Sequence, residues 1–253
     1  MQNAIPILIF HTLDDRGLVI SFSPQAFRRD MDILHRRGYS ALSLLEVAER
    51  VRQGQPFPPR SFVLTFDDGY QSVYREAFPV LQRYAMSATV FVTTGERWPG
   101  GSSGRLPPCE NQPMLKWGEI REMHDWGIEI GAHTCTHPDL TRLPTEKIES
   151  ELHDSKAIIE DMLGAAVRSF AYPFGRYDRR SQHIAQLHFQ CACSDMLGLV
   201  TRRSSPYALE RIDAYYLRPD SLFGLMLTRW FSTYVGLRRL TRGVKRTLRA
   251  RAG

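Results

Sequence analysis

Ser61-Phe62-Val63-Leu64-Thr65-Phe66-Asp67-Asp68-Gly69-Tyr70 is the stretch on which the reading of this chain turns. Its first four residues are apolar and β-prone, and read as a buried strand bounded by turn residues. Gly69 breaks that strand, and 70–84 reads as a helix. Two adjacent carboxylates therefore stand where a strand ends and a helix begins. In parallel α/β proteins that edge carries the active site. Successive strand residues point to opposite faces, but twist at a strand end can bring both into one cleft. Like charges so close repel, so a cation, first of all a metal ion, is expected beside them. Taken alone, Asp-Asp-Gly also suits a solvated acidic turn.

A second strand end changes the balance. The run 128–132 reads as a strand, and His133-Thr134-Cys135-Thr136-His137-Pro138 follows it. One helical turn would align residues four apart on one face, so that both imidazoles reach one ion. Two histidines and one carboxylate form a ligand set with open positions, which suits catalytic zinc or non-haem iron.

The remaining chain alternates in the same way. Strands are expected over 5–10, 39–42, 88–92, 167–172 and 189–194, with helices over 24–37, 44–53, 117–126, 144–163 and 178–188. Ser23 and Pro24 open the first helix as N-cap and first helical residue. Alternating strand and helix implies a parallel sheet. About seven such units in 253 residues suggest one α/β barrel domain. The long Gly-, Ser- and Pro-rich loop 93–113 follows a strand, and should overhang the catalytic mouth.

The motifs then resemble a known family. Thr65-Phe66-Asp67-Asp68-Gly69-Tyr70 and His133-Thr134-Cys135-Thr136-His137-Pro138-Asp139-Leu140 resemble the first two motifs of the polysaccharide deacetylases, the NodB-homology group or carbohydrate esterase family 4. Phe170-Ala171-Tyr172-Pro173-Phe174-Gly175 resembles the third. The resemblance covers about residues 4–215 and implies a distorted (β/α)7 barrel. It implies Asp67 as catalytic base, with Asp68, His133 and His137 as ligands of one divalent ion. Zinc comes first, with nickel, cobalt and iron as alternatives. It also implies that the N–H of Phe174 is an oxyanion donor.

The sequence departs from the common pattern twice. The third motif usually has an Arg two places before its proline, holding the base; here that place is Ala171. Arg211, before a late strand, is the substitute expected. The common family takes its acid from a histidine near the C-terminus, and none follows His188. The poly-N-acetylglucosamine deacetylase branch uses a histidine ending the first strand, and Ile7-Leu8-Ile9-Phe10-His11 resembles that arrangement. His11 is thus the expected acid. Trp98 and Tyr172 are the aromatics expected to stack on sugar rings.

Composition sets the outer bounds. Hydrophobic content of 43% and charged content of 24% are ordinary for a globular protein. Cys109, Cys135, Cys191 and Cys193 show neither zinc-finger spacing nor a disulfide framework, so a reducing compartment fits. No secretory signal is visible after Met1, so a cytoplasmic protein is expected. The net charge is +6, yet from Ser221 onward there are eight Lys or Arg and no acidic residue. The preceding 25 basic and 27 acidic residues sum to −2. Leu237, Leu240, Val244 and Leu248 share one helical face and basic residues the other. Residues 1–220 are therefore read as the catalytic domain. Residues 221–253 are read as a basic amphipathic tail suited to an anionic membrane at the inner face, rather than to nucleic acid.

The function expected is metal-dependent N-deacetylation of an N-acetylated sugar, in a polysaccharide or lipid-linked precursor. The rival readings are a catalytically weak sugar-binding protein, an O-acetyl esterase and a non-haem iron oxygenase.

Overall fold

The computed structural model describes residues 2–95 and 112–251. Trp98 and Cys109 lie outside the described residues.

The expected first strand is divided at Pro6, which has no N–H for the ladder. β1 (Ala4–Ile5) turns away to pair antiparallel with β11 (Val200–Thr201). β2 (Ile7–Phe10) enters the main sheet, and the Pro6 carbonyl still accepts the Val63 N–H at 3.0 Å. Around it run β6 (Ser61–Phe66), β7 (Thr89–Val92), β8 (Glu129–Ala132), β9 (Ser169–Ala171), β10 (Cys191–Leu197) and β12 (Leu209–Asp213). Each pairs with the next in parallel, and β12 returns to β2. The result is a closed seven-stranded parallel barrel, the distorted (β/α)7 form expected. The short β3 (Thr12–Leu13) and β4 (Ser21–Phe22) pair with each other, and β5 (Ser40–Ala41) adds to β6 from outside.

Side-chain parity divides the core. Even-numbered residues such as Leu8, Leu64, Phe66, Val90, Ile130, Phe170 and Ile212 pack with the helices. Odd-numbered Ile7, Val63, Phe91, Ala171, Cys193 and Leu209 form a second cluster inside the barrel. Gly131 belongs to that interior: a Cβ there would lie 2.5 Å from the Phe91 ring and 2.7 Å from Ser169 Oγ. Helix α2 (Leu44–Arg52) closes the lower end, with Leu44, Val47, Ala48 and Val51 joining the interior cluster. Cys191 and Cys193 are buried free thiols in it, and burial pushes Cys193 up to about 12.

The expected helix over 70–84 is not uniform. A π-helical turn, Val73–Ala77, precedes α3 (Phe78–Tyr84), and the Phe78 N–H bonds back to the Val73 carbonyl. Pro79 explains it: without an N–H it cannot bond to the carbonyl of Arg75, and the preceding turn widens. α1 (Pro24–Arg36), α4 (Trp117–Trp126), α5 (Thr145–Leu163) and α6 (Arg179–His188) lie where the periodicity places them.

The packed body extends past residue 220. Phe223, in α7 (Asp220–Leu225), together with Met226, Phe231 and Val235, is buried in the main core. α8 (Phe231–Arg251) begins with Phe231 and Val235 against that body, but from Gly236 to Thr241 every residue is exposed. Leu237 is 60% and Leu240 69% exposed. Among the described residues no helix is long and apolar enough to cross a membrane.

Candidate active site

The upper, C-terminal ends of the barrel strands bring the expected residues together. Asp67 continues β6, with its N–H on the Phe10 carbonyl at 2.9 Å. As an odd-numbered residue it points inward. An extended Asp68 would point outward, but its φ is +71 and that of Gly69 is +82. This left-handed reversal, which Asp tolerates better than most residues, cancels the strand alternation. It is the reason two adjacent carboxylates share one cleft; strand twist alone is not needed.

The four-residue spacing of the histidines works differently from a helical turn. No helix forms over 133–137; Thr134 and His137 are both left-handed, with φ of +66 and +57. The Thr134 hydroxyl accepts the His137 N–H at 3.0 Å and closes the loop. His133 Nε2 lies 3.3 Å and His137 Nε2 3.4 Å from Asp68 Oδ1. One ligand atom from each of the three buried residues lies within 4.8 Å of the others.

The chemistry of this donor set fits a cation. His133 Nδ1 donates to the Ala171 carbonyl at 2.7 Å, which leaves its Nε2 lone pair facing Asp68. A ligand histidine is commonly oriented in this way. Burial, then the neighbouring His133 charge, lowers His137 to about 4, so it presents a neutral imidazole. Burial acts to raise Asp68, but His133, His11 and His137 outweigh it and hold the carboxyl below its ordinary range. Burial would lower His133, yet the Asp68 and Asp67 carboxylates raise it.

Beside this cluster stands a second arrangement. Arg211, 1% exposed, reaches in from β12 and meets Asp67 with both ends of its fork: Nη1 to Oδ1 and Nη2 to Oδ2, each 2.8 Å. Its Nε donates to the Ser194 carbonyl at 2.8 Å, and Nη1 also to Thr65 Oγ1 at 3.2 Å. That carbonyl is available because the β10–β12 register slips between Cys193/Leu209 and Leu197/Arg211. Burial pushes the Asp67 carboxyl up, but the Arg211 charge and hydrogen bonds, with His133, bring it to about 2. Ala171, where the usual motif has its Arg, lies in the interior cluster. Thr65 and the Ser194 carbonyl escaped the sequence reading. Thr65 was within reach of it, being two residues before Asp67 on the same face.

His11 is partly buried just past β2, an electrostatic neighbour of Asp67, Asp68 and His137. Phe174 sits in a short 3-10 turn, Pro173–Gly175, at φ +57. Its ring is half exposed and edge-on to His137, centroids 4.6 Å apart. Tyr172 is a correction. It is fully buried, stacked on Tyr177 at 5.0 Å, and its hydroxyl donates to the Tyr207 carbonyl. Its even position turns it toward the helices, so it has no free face for a sugar. The returning end of the long loop lies at the mouth, where Gln112 Nε2 reaches Asp14 at 2.8 Å and Leu115 N–H reaches the Gly69 carbonyl at 2.9 Å.

Comparison with known proteins agrees with this geometry. Residues 54–192 match the polysaccharide deacetylase family. YxkH of Bacillus subtilis is 30% identical over 87% of this chain and 75% of its own. A poly-β-1,6-N-acetyl-D-glucosamine N-deacetylase of Staphylococcus aureus is 26% identical over 83% of this chain and 72% of its own. The solved Streptococcus pyogenes deacetylase PplD, in complex with acetate, superposes with a TM-score of 0.73 at 25% identity, covering 84% of this chain and 93% of that one. A barrel that gathers Asp67, Asp68, His133 and His137 at its upper end, in a chain so matched, belongs to the polysaccharide deacetylase family.

Proposed function

We propose that this protein is a metal-dependent hydrolase that removes N-acetyl groups from an N-acetylated sugar, in a polysaccharide or a lipid-linked precursor. The observation that carries the reading is the presence of two separate devices at one barrel end. Asp67 is ionised and gripped by Arg211, while Asp68, His133 and His137 form a distinct cluster. Asp68, His133 and His137 would hold a divalent ion, which would supply Lewis acidity and lower the pKa of water to about 7. Zinc suits two imidazoles and a carboxylate; nickel, cobalt and iron are the alternatives.

Asp67 takes the proton of the attacking water. Arg211 fixes the plane of its carboxylate and keeps it ionised. His11 gives a proton to the departing amine nitrogen as the C–N bond breaks, so that acetate and a free amine leave. The N–H of Phe174 donates to the oxygen that becomes negative. The S. aureus relative named for poly-β-1,6-N-acetyl-D-glucosamine makes a β-linked N-acetylglucosamine polymer the first substrate to try.

An O-acetyl esterase would use the same residues and is the second reading. The weak sugar-binding reading rested on the missing Arg at position 171, and the Asp67–Arg211 pair speaks against it. A non-haem iron oxygenase would have no use for that pair. The basic, acid-free end of the chain supports peripheral contact with an anionic membrane from the cytoplasmic side.

The test is acetate release from N-acetylated oligosaccharides, lipid-linked sugars and O-acetylated sugars, after chelation and again after metal is restored. Metal-dependent acetate release with a new free amine is expected. Release from the O-acetyl substrates alone would establish the esterase; release from none would remove the hydrolase reading.

A further inference from the structure

The loop that joins the two cluster histidines is held from behind by one carboxylate. Glu151, in the second turn of α5, accepts three hydrogen bonds from it. Its Oε2 takes the backbone N–H of Cys135 at 2.8 Å and of Thr136 at 2.9 Å, and its Oε1 takes the Thr136 hydroxyl at 2.6 Å. Successive N–H groups converging on one oxygen form an anion-binding concavity. Here the anion is supplied by the protein's own helix.

The loop's carbonyls are fixed from another side. Gly95 N–H donates to the Cys135 carbonyl at 2.7 Å, and Thr94 N–H to the Thr134 carbonyl at 3.3 Å. A Cβ at Gly95 would stand 2.6 Å from the Cys135 oxygen, so only glycine allows that approach. The loop is thus clamped while Thr134 and His137 hold left-handed backbone that such side chains adopt only where surroundings impose it.

We propose that Glu151 is a positioning residue for the Asp68/His133/His137 cluster, setting where His137 stands relative to His133. The two histidines are secured unequally. His133 is anchored by the Val92 carbonyl through its N–H and by the Ala171 carbonyl through its ring. His137 depends on the loop, since its ring Nδ1 has no hydrogen-bond partner among the described residues. Removing Glu151 leaves two backbone N–H groups without their acceptor and frees the loop to relax toward ordinary φ. His137 then moves while His133 stays. The inference rests on the reading that this cluster holds a metal.

Zinc affinity of the wild type, Glu151→Gln and Glu151→Ala, measured by competition with a chromogenic chelator, tests it. The absorption spectrum of each cobalt-loaded protein is the second readout. Glu151→Ala is expected to bind zinc about 10- to 100-fold more weakly, in the range for residues that orient ligands, with an altered cobalt spectrum. Glu151→Gln, whose amide oxygen still accepts both N–H groups, should stay within a few-fold of wild type. A lowered melting temperature with unchanged zinc affinity and cobalt spectrum in Glu151→Ala would reduce Glu151 to ordinary scaffolding and overturn the proposal. If Glu151→Ala does not fold, Thr136→Val removes the hydroxyl bond alone. It should weaken zinc several-fold, and wild-type affinity there would overturn the proposal equally. A wild type that binds neither metal would instead remove the metal reading, and this inference with it.

Discussion

Arg211 and Asp67, 144 residues apart in the chain, meet fork to fork inside the barrel with two hydrogen bonds of 2.8 Å. Neither has more than a few per cent of its surface in water. A pair so placed does two things. It keeps a buried carboxylate ionised, and it fixes the plane of that carboxylate. Breaking such a pair by removing one partner leaves an uncompensated buried charge, at a cost of roughly 3–5 kcal/mol.

Arg211→Ala is therefore expected to lower unfolding stability by about that amount, and Arg211→Lys to recover little, because an ammonium cannot form the fork. The pair also has a pH signature in the metal-free protein. Asp67 is depressed to about 2 when folded, below the ordinary value near 4. Its stabilisation is present above about pH 4 and is lost as pH falls toward 2. The gap in stability between wild type and Asp67→Asn should thus narrow by on the order of 2 kcal/mol across that window. Denaturant titrations at several pH values measure it; a gap that stays constant or widens would contradict the pairing.

Replacing His133 or His137 with Ala should abolish bound metal and activity together, since each would remove one of the three proposed ligands. Asp67→Asn should keep the metal and lose most turnover, because a base activates the water without holding the ion. Metal analysis of the purified variants beside their acetate release decides between the two carboxylates. Metal lost from Asp67→Asn and kept in Asp68→Asn would reverse their roles.

His11→Ala should cost roughly 10²-fold or more on an N-acetyl substrate, whose amine leaves poorly without a proton. On an activated aryl acetate the loss should be far smaller, because that leaving group needs no acid. Kinetics on both substrates make the comparison. Equal losses would mean that His11 shapes the site rather than protonating the amine.

The exposed part of α8 should bind anionic vesicles. Each Lys or Arg near an anionic leaflet contributes about 1 kcal/mol, and Leu237 and Leu240 stand free to insert. Because Phe223, Met226, Phe231 and Val235 belong to the core, the informative truncation falls after Val235, not before Ser221. That truncated protein should keep activity on a soluble substrate and lose vesicle co-sedimentation. Binding that ignores lipid charge and salt, or survives the truncation, would rule out this use of the helix.

The sequence by itself determined the architecture and which residues the candidate site gathers. Local signals suffice there. Alternating apolar runs and capped helices dictate a parallel barrel, and Asp67, Asp68, His133 and His137 sit at strand ends that any such barrel gathers at one mouth. The motif resemblance, with Ala171 where an Arg is usual, pointed to Arg211 as the residue holding Asp67, but the geometry of that contact could not be read from the sequence. The contact spans 144 residues and depends on a register slip between β10 and β12. Tertiary structure also decided the manner of convergence. Asp68 and His137 turn in because their backbones are left-handed, which residue type only permits and surrounding hydrogen bonds impose. Tyr172 shows the opposite case: an aromatic in a motif, directed away from the site because an even position on β9's extension faces the helices. The clamp on Glu151 had no such signal in the sequence. Three hydrogen bonds from a loop to a helix carboxylate 15 or 16 residues later depend on how that helix packs back on the barrel, and no periodicity in the chain records it.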